Sequence, residues 1–188
     1  ISETANQTYG PSRRWSAYLN LAYSHRFDRT ALTDVEFEGP LRVQRPFYPE
    51  GDVCHTYLLH PPGGMVSGDE LTIQLELSPA THVVATTPSA GKIYCADSES
   101  VTQQQRIVAN VHRATLEWLP QETIIFDGAQ ANLSTRFELK EDSKLIAWEM
   151  VGLGRQAGQQ PFQHGSLTQN ISIIVDGQPL LMESFVLD

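Results

Sequence analysis

The chain has 188 residues, 13 Lys+Arg against 22 Asp+Glu, and a formal net charge of −9. An acidic balance of this size argues against nucleic acid, which needs a basic face, and 40% hydrophobic content is that of a globular chain able to bury its own core. Two cysteines without paired spacing, Cys54 and Cys95, give no disulfide framework and fit a reducing, cytoplasmic setting; no apolar run reaches the ~20 residues of a membrane span.

The first 14 residues, with Gly10-Pro11 near their end, read as a mobile tail, and residues 15–188 read as a single β-rich domain. Trp15 to Tyr23 alternates as a strand, although a helical face also fits it. Ala31 to Phe37 and Leu41 to Arg45 are further strands, broken by Gly39-Pro40 and followed by Pro46 and Pro49 around Phe47-Tyr48. Cys54 to Leu59 then leads into His60-Pro61-Pro62-Gly63-Gly64-Met65-Val66-Ser67-Gly68-Asp69-Glu70. Two prolines fix that backbone and three glycines free it, so it must be a tight, specially shaped loop. It displays His60, Asp69 and Glu70 at its ends, and the alternating run Leu71 to Leu77 leaves it.

His82 to Thr87 is β-branched and strand-like. Pro88 to Lys92 is a loop whose Gly-Lys pair lacks the other residues of a phosphate-binding loop. Strands follow at Val101–Val108, Ala114–Leu119, Thr123–Phe126 and Leu133–Leu139. Leu145 to Val151 is a continuous apolar run apart from Glu149. Ile171, Ile173 and Val175 alternate into Asp176-Gly177, a hairpin signal, and the return strand carries Leu180, Leu181, Met182 and Glu183. Short strands punctuated by Gly, Pro and Asp-Gly mean an all-β fold: a sandwich, a barrel or a solenoid of stacked sheets. No fixed repeat is visible to choose among them.

Several residue groups carry possible chemistry. Cys54-His55 followed by His60 has soft-metal ligand types but no completing pair. Cys54, His60 and Asp69 are the residues a hydrolase or metal enzyme on this scaffold would use. Asp69, Glu149 and Glu183 are single carboxylates in apolar or glycine-rich company, and a buried carboxylate must be paired, hydrated or bound to a cation. Strand alternation that points both glutamates at solvent is the plain alternative.

Four blocks, "RPFYPEG", "YLLHPPGGMVSGDEL", "LEWLPQETIIFDGA" and "WEMVGLGR", together resemble the urease accessory protein family UreD, called UreH in some bacteria. The similarity runs from about Trp15 to the last residue. The resemblance implies a β-helix-like stack of antiparallel and mixed sheets with few helices, mainly in a C-terminal part that this chain lacks. It implies a non-enzymatic scaffold that binds apo-urease and the UreF–UreG assembly, UreG being the GTPase, and helps deliver nickel to urease. On that view no cofactor is held tightly, and nickel in transit meets Asp69, Glu149 and Glu183, with His60 as a further ligand. Pro61, Pro62, Gly63, Gly64 and Gly68 shape the loop. Alanine at the three carboxylates is expected to leave folding nearly intact, since no salt-bridge partner is foreseen. Many relatives carry Arg after the tyrosine of a Lys-x-Tyr motif; here Lys92-Ile93-Tyr94 is followed by Cys95. The other readings are the β-scaffold enzyme and a purely structural β-interaction module.

Overall fold

The computed structural model describes residues 14–188, so the N-terminal tail reading falls, but for Arg14, outside the described residues. The chain is all-β, with one three-residue 3-10 turn at Gln156–Gly158 and no α-helix among the described residues. A seven-stranded sheet contains β1 (Trp15–Arg26), β2 (Arg29–Glu38), β5 (Asp69–Leu77), β8 (Gln103–His112), β11 (Gln130–Lys140), β14 (Ser166–Val175) and β15 (Gln178–Leu187). A five-stranded sheet contains β3 (Arg42–Val43), β4 (Cys54–Leu59), β6 (His82–Thr86), β9 (Thr115–Trp118) and β12 (Lys144–Ala147). A narrow third sheet contains β7 (Gly91–Ile93), β10 (Thr123–Ile125) and β13 (Val151–Leu153).

In space the large sheet runs β15-β14-β11-β8-β5-β1-β2. Its five middle strands are mutually parallel. Antiparallel hairpins, β1–β2 and β14–β15, close both ends. Three successive passes, β6-β7-β8, β9-β10-β11 and β12-β13-β14, each lay one strand on each sheet in the same order, beside the pass before. The passes have unequal lengths. Leu71 lies beside Gln105, Gln105 beside Leu133, and Leu133 beside Gln169, steps of 34, 28 and 36 residues.

The strands of the large sheet bury alternate residues, as period-two patterning requires. Leu19, Leu21 and Tyr23 of β1 face Leu75 and Leu77 of β5 and Ala109 and Val111 of β8. Val83, Ala85, Leu116 and Trp118 supply the five-stranded sheet's side of the same core. Each such aliphatic side chain contributes about 1.5–3 kcal/mol on burial. The Tyr23 hydroxyl, fully buried, meets Thr56 Oγ1 at 3.1 Å and joins the two sheets by a polar contact. Burial pushes the Tyr23 pKa far above its ordinary value.

The expected hairpin forms. Asp176 and Gly177 take φ of 48° and 78°, the two positive values of a type I′ turn. The strand expected over Leu41–Arg45 is only Arg42–Val43, because Pro46 and Pro49 interrupt the edge; Gln44 still donates its N–H to Tyr57 O. The run Leu145–Val151 is not one strand. It leaves β12 after Ala147 and re-forms as β13 at Val151, and Glu149 lies on the connection.

Candidate functional site

The Gly-rich loop joins β4 to β5 and is held as a rigid corner. Gly63 N–H donates to His60 O at 2.9 Å. Met65 pairs in parallel with Ile93, so the loop adds one bridge to the third sheet. Gly64 is required by a close approach: a Cβ there would stand 2.3 Å from Cε2 of the Tyr94 ring. The turn Val66-Ser67-Gly68-Asp69 has Gly68 at φ 81°, the third position of a type II turn.

Asp69 closes that turn twice. Its N–H donates to Val66 O at 3.1 Å, and its carboxylate accepts from Val66 N–H at 2.9 Å. The sequence places Asp69 on display; the structure turns it inward, 5% exposed, because it shares the inward parity of β5 with Leu71, Ile73 and Leu75. Burial raises the Asp69 pKa, partly offset by the Val66 N–H and by His60. Burial lowers the pKa of His60, with Asp69 acting against it. The imidazole is therefore held neutral, the form that can ligate a metal. His60 Nε2 is buried and has no hydrogen-bond partner.

His60 lines a partly open cavity of about 380 Å³. All three sheets contribute to its wall: Ile73 and Gln169 from the large sheet, Trp118 from the five-stranded sheet, and Lys92 and Val151 from the third. The wall is largely apolar, and Glu149 is the one carboxylate in it. Glu149 leaves the strand and turns in. Its Oε1 accepts from Trp118 Nε1–H at 3.3 Å and from the Thr135 hydroxyl, while Oε2 accepts from Gln169 Nε2–H at 3.2 Å. Trp118 and Thr135 are 2% and 3% exposed. The carboxylate thus ties strands β9, β11 and β14 together while facing the cavity. The expectation that alanine here leaves folding intact does not hold, because those donors would be orphaned.

Glu183 sits on exposed edge strand β15, beside Ile171 of β14. It lines a second, open cavity of about 340 Å³ with Gln169, Ile171, Ser184 and Phe185. Gln169 therefore borders both cavities. The structure brings His60 and Glu149 to one cavity, sets Asp69 behind His60, and puts Glu183 at the neighbouring groove. Glu70, by contrast, pairs with Arg14 at 3.3 Å and takes the Ser16 hydroxyl.

The grouping of Cys54 with His60 and Asp69 fails on distance. Cys54 and His60 are six residues apart along an extended strand, about 20 Å. Cys54 is fully buried against Tyr48, and burial raises its thiol pKa, which disfavours the nucleophilic thiolate. His55 faces Glu50 at 3.3 Å and Phe47, away from the cavity. Among the described residues no three His, Cys, Asp or Glu side chains are grouped to hold a metal ion. No helix among them is long and apolar enough to cross a membrane.

Sequence reasoning missed Trp118, Thr135 and Gln169 as partners of the site. The available signal was parity: Thr135 and Gln169 occupy inward positions on strands whose other inward residues are apolar.

Comparison with known proteins bears on the whole of this arrangement. A family model described as UreD urease accessory protein matches residues 16–188. The urease accessory protein UreD of Citrobacter koseri is 46% identical over 177 residues, covering 94% of this chain and 62% of that one. That of Saccharophagus degradans is 48% identical over 175 residues, 92% of this chain and 59% of that one. That of Klebsiella aerogenes is 46% identical over 170 residues, 90% and 62% respectively. The chain spans about three fifths of the length of these curated relatives. With the family model matching nearly every described residue, the chain belongs to the UreD urease accessory protein family.

Proposed function

We propose that this protein is a non-enzymatic scaffold of urease maturation, through which nickel passes as cargo on its way to the urease active site. The family match over residues 16–188 carries the reading. Its partners in this proposal are apo-urease and the UreF–UreG assembly, in the cytoplasm. UreG supplies GTP hydrolysis, since this chain carries no phosphate-binding loop of its own among the residues read as strands and turns.

The cavity lined by His60 and Glu149 supports the conduit part of the proposal. A divalent cation in transit needs weak, separated oxygen and nitrogen ligands, each replacing part of its hydration shell, and no closed four-ligand trap. His60 offers a neutral imidazole with an unpartnered Nε2. Glu149 offers a carboxylate with lone-pair capacity beyond its three donors. Asp69 supplies negative potential behind His60, and Glu183 a further carboxylate at the adjoining groove.

The test uses the full-length protein coexpressed with urease and its other accessory proteins. His60→Gln, Glu149→Gln and Glu183→Gln together should lower nickel per urease active site while the accessory complex still copurifies. Full nickel loading would sink the conduit. Failure to copurify with urease in the parental protein would sink the scaffold reading itself.

A further inference from the structure

We propose that Gln169 is the gate between the His60–Glu149 cavity and the groove at Glu183, an inference that rests on the conduit reading above. The observation is positional. Gln169 borders both cavities, and among the described residues no other lines the two. It lies on β14 with Leu133 of β11 on one side and Phe185 of β15 on the other. Its amide donates Nε2–H to Glu149 Oε2 at 3.2 Å. In that rotamer the side chain occupies one of the carboxylate's oxygens.

A hydrated divalent cation arriving at Glu149 competes for that oxygen. The cation is the stronger partner, because two opposite charges in contact attract more than a carboxylate and a neutral amide do. Displaced, the Gln169 amide can turn its carbonyl oxygen toward the ion; a glutamine presents an acceptor as readily as a donor. Rotation about its side-chain torsions then carries the ion's new ligand toward the Glu183 side. Ile171 and Phe185 flank the passage and offer no competing ligand.

The experiment follows transfer of nickel from a Ni²⁺ salt into urease by the purified full complex, comparing parental protein with Gln169→Leu, Gln169→Ala and Glu149→Gln. Both Gln169 variants lose the hydrogen bond to Glu149, but leucine fills the boundary with an apolar side chain and alanine opens it. Leucine also suits the half-buried, apolar surroundings, so folding is retained, and the thermal midpoint of each variant checks this. Gln169→Leu should slow transfer by about tenfold or more, because an apolar side chain then fills the boundary and offers the ion no oxygen. Gln169→Ala should transfer at the parental rate or faster. Equal slowing by leucine and alanine would overturn the gate and leave Gln169 merely positioning Glu149. Parental transfer by Gln169→Leu with slow transfer by Glu149→Gln would overturn the gate and leave the conduit standing. Parental transfer by both would bring down the conduit reading and the gate with it.

Discussion

Replacing Glu149 separates its two roles, because alanine and glutamine remove different things. Alanine strands Trp118 Nε1–H and the Thr135 hydroxyl, both in nearly inaccessible residues, and frees the Gln169 amide. A buried donor left unpaired costs about 1–3 kcal/mol. The adjoining cavity can admit water to re-pair them, so the low end applies, about 2 kcal/mol for the two. For a chain of this size that lowers the thermal midpoint by roughly 4–8 °C. Glutamine keeps a carbonyl acceptor for Trp118 and Thr135 and puts an NH2 in place of Oε2, toward which the Gln169 amide can turn its own oxygen, so its midpoint should stay within about 2–3 °C of parental. Differential scanning calorimetry of the purified full-length variants measures this, with nickel per urease active site after coexpression as the second readout. The expected pattern is an unstable alanine variant and a stable glutamine variant, both poor in nickel delivery. An alanine variant as stable as parental would refute the three-strand tie.

Three further outcomes follow from the same geometry. Gly64→Ala places a Cβ against the Tyr94 ring, which itself rests on Phe126 with centroids 5.1 Å apart, and should cost about 1–3 kcal/mol in urea unfolding; an unchanged midpoint would mean the ring yields freely. Asp69 has a raised pKa, so its ionised form costs stability above the folded-state pKa and the cost vanishes below the ordinary carboxylate range. Asp69→Asn keeps an acceptor for Val66 N–H and should be at least as stable as parental at pH 7, an advantage that shrinks toward pH 4; a clearly destabilised variant at pH 7 would contradict it. His60 has a lowered pKa, so the unfolded chain takes up its proton first as pH falls through about 6.5 and stability drops. Between pH 7.5 and 5.5 the parental protein should lose more stability than His60→Gln, as chemical-denaturation midpoints would reveal; parallel curves would exclude the effect.

Strands with clear alternation were legible in the sequence, and so was the Asp176-Gly177 turn, because side-chain parity and positive φ are local requirements. The third sheet was not: β7, β10 and β13 have three residues each, too few for a period to register. The stacking of passes was hidden by their unequal steps of 34, 28 and 36 residues, which leave no repeat to detect. At the site, Glu149 stood out by its apolar company, but its partners did not, since each lies on a different strand and only three-dimensional register brings them together. The Cys54–His60 grouping looked close for the opposite reason: six positions in a sequence become a long span once the chain is extended.

The parallel arrangement has a kinetic consequence. At the two hairpins neighbours in the sheet are neighbours in sequence, whereas the middle strands pair residues 28 to 54 positions apart, as Leu133 with Gln105 and Asp69 with Trp15. Loop closure of that kind is slow and is repeated at every pass, so each strand depends on the template edge left by the one before it. Synthesis from the N-terminus suits this order, since the β1–β2 hairpin forms first and offers β5 an edge. Refolding from denaturant gives no such order. It leaves several half-built edges open at once, and β15, with Leu180 and Met182 each 71% exposed, adds an apolar edge strand to them. Dilute refolding with the partners already present should therefore recover more protein than refolding alone.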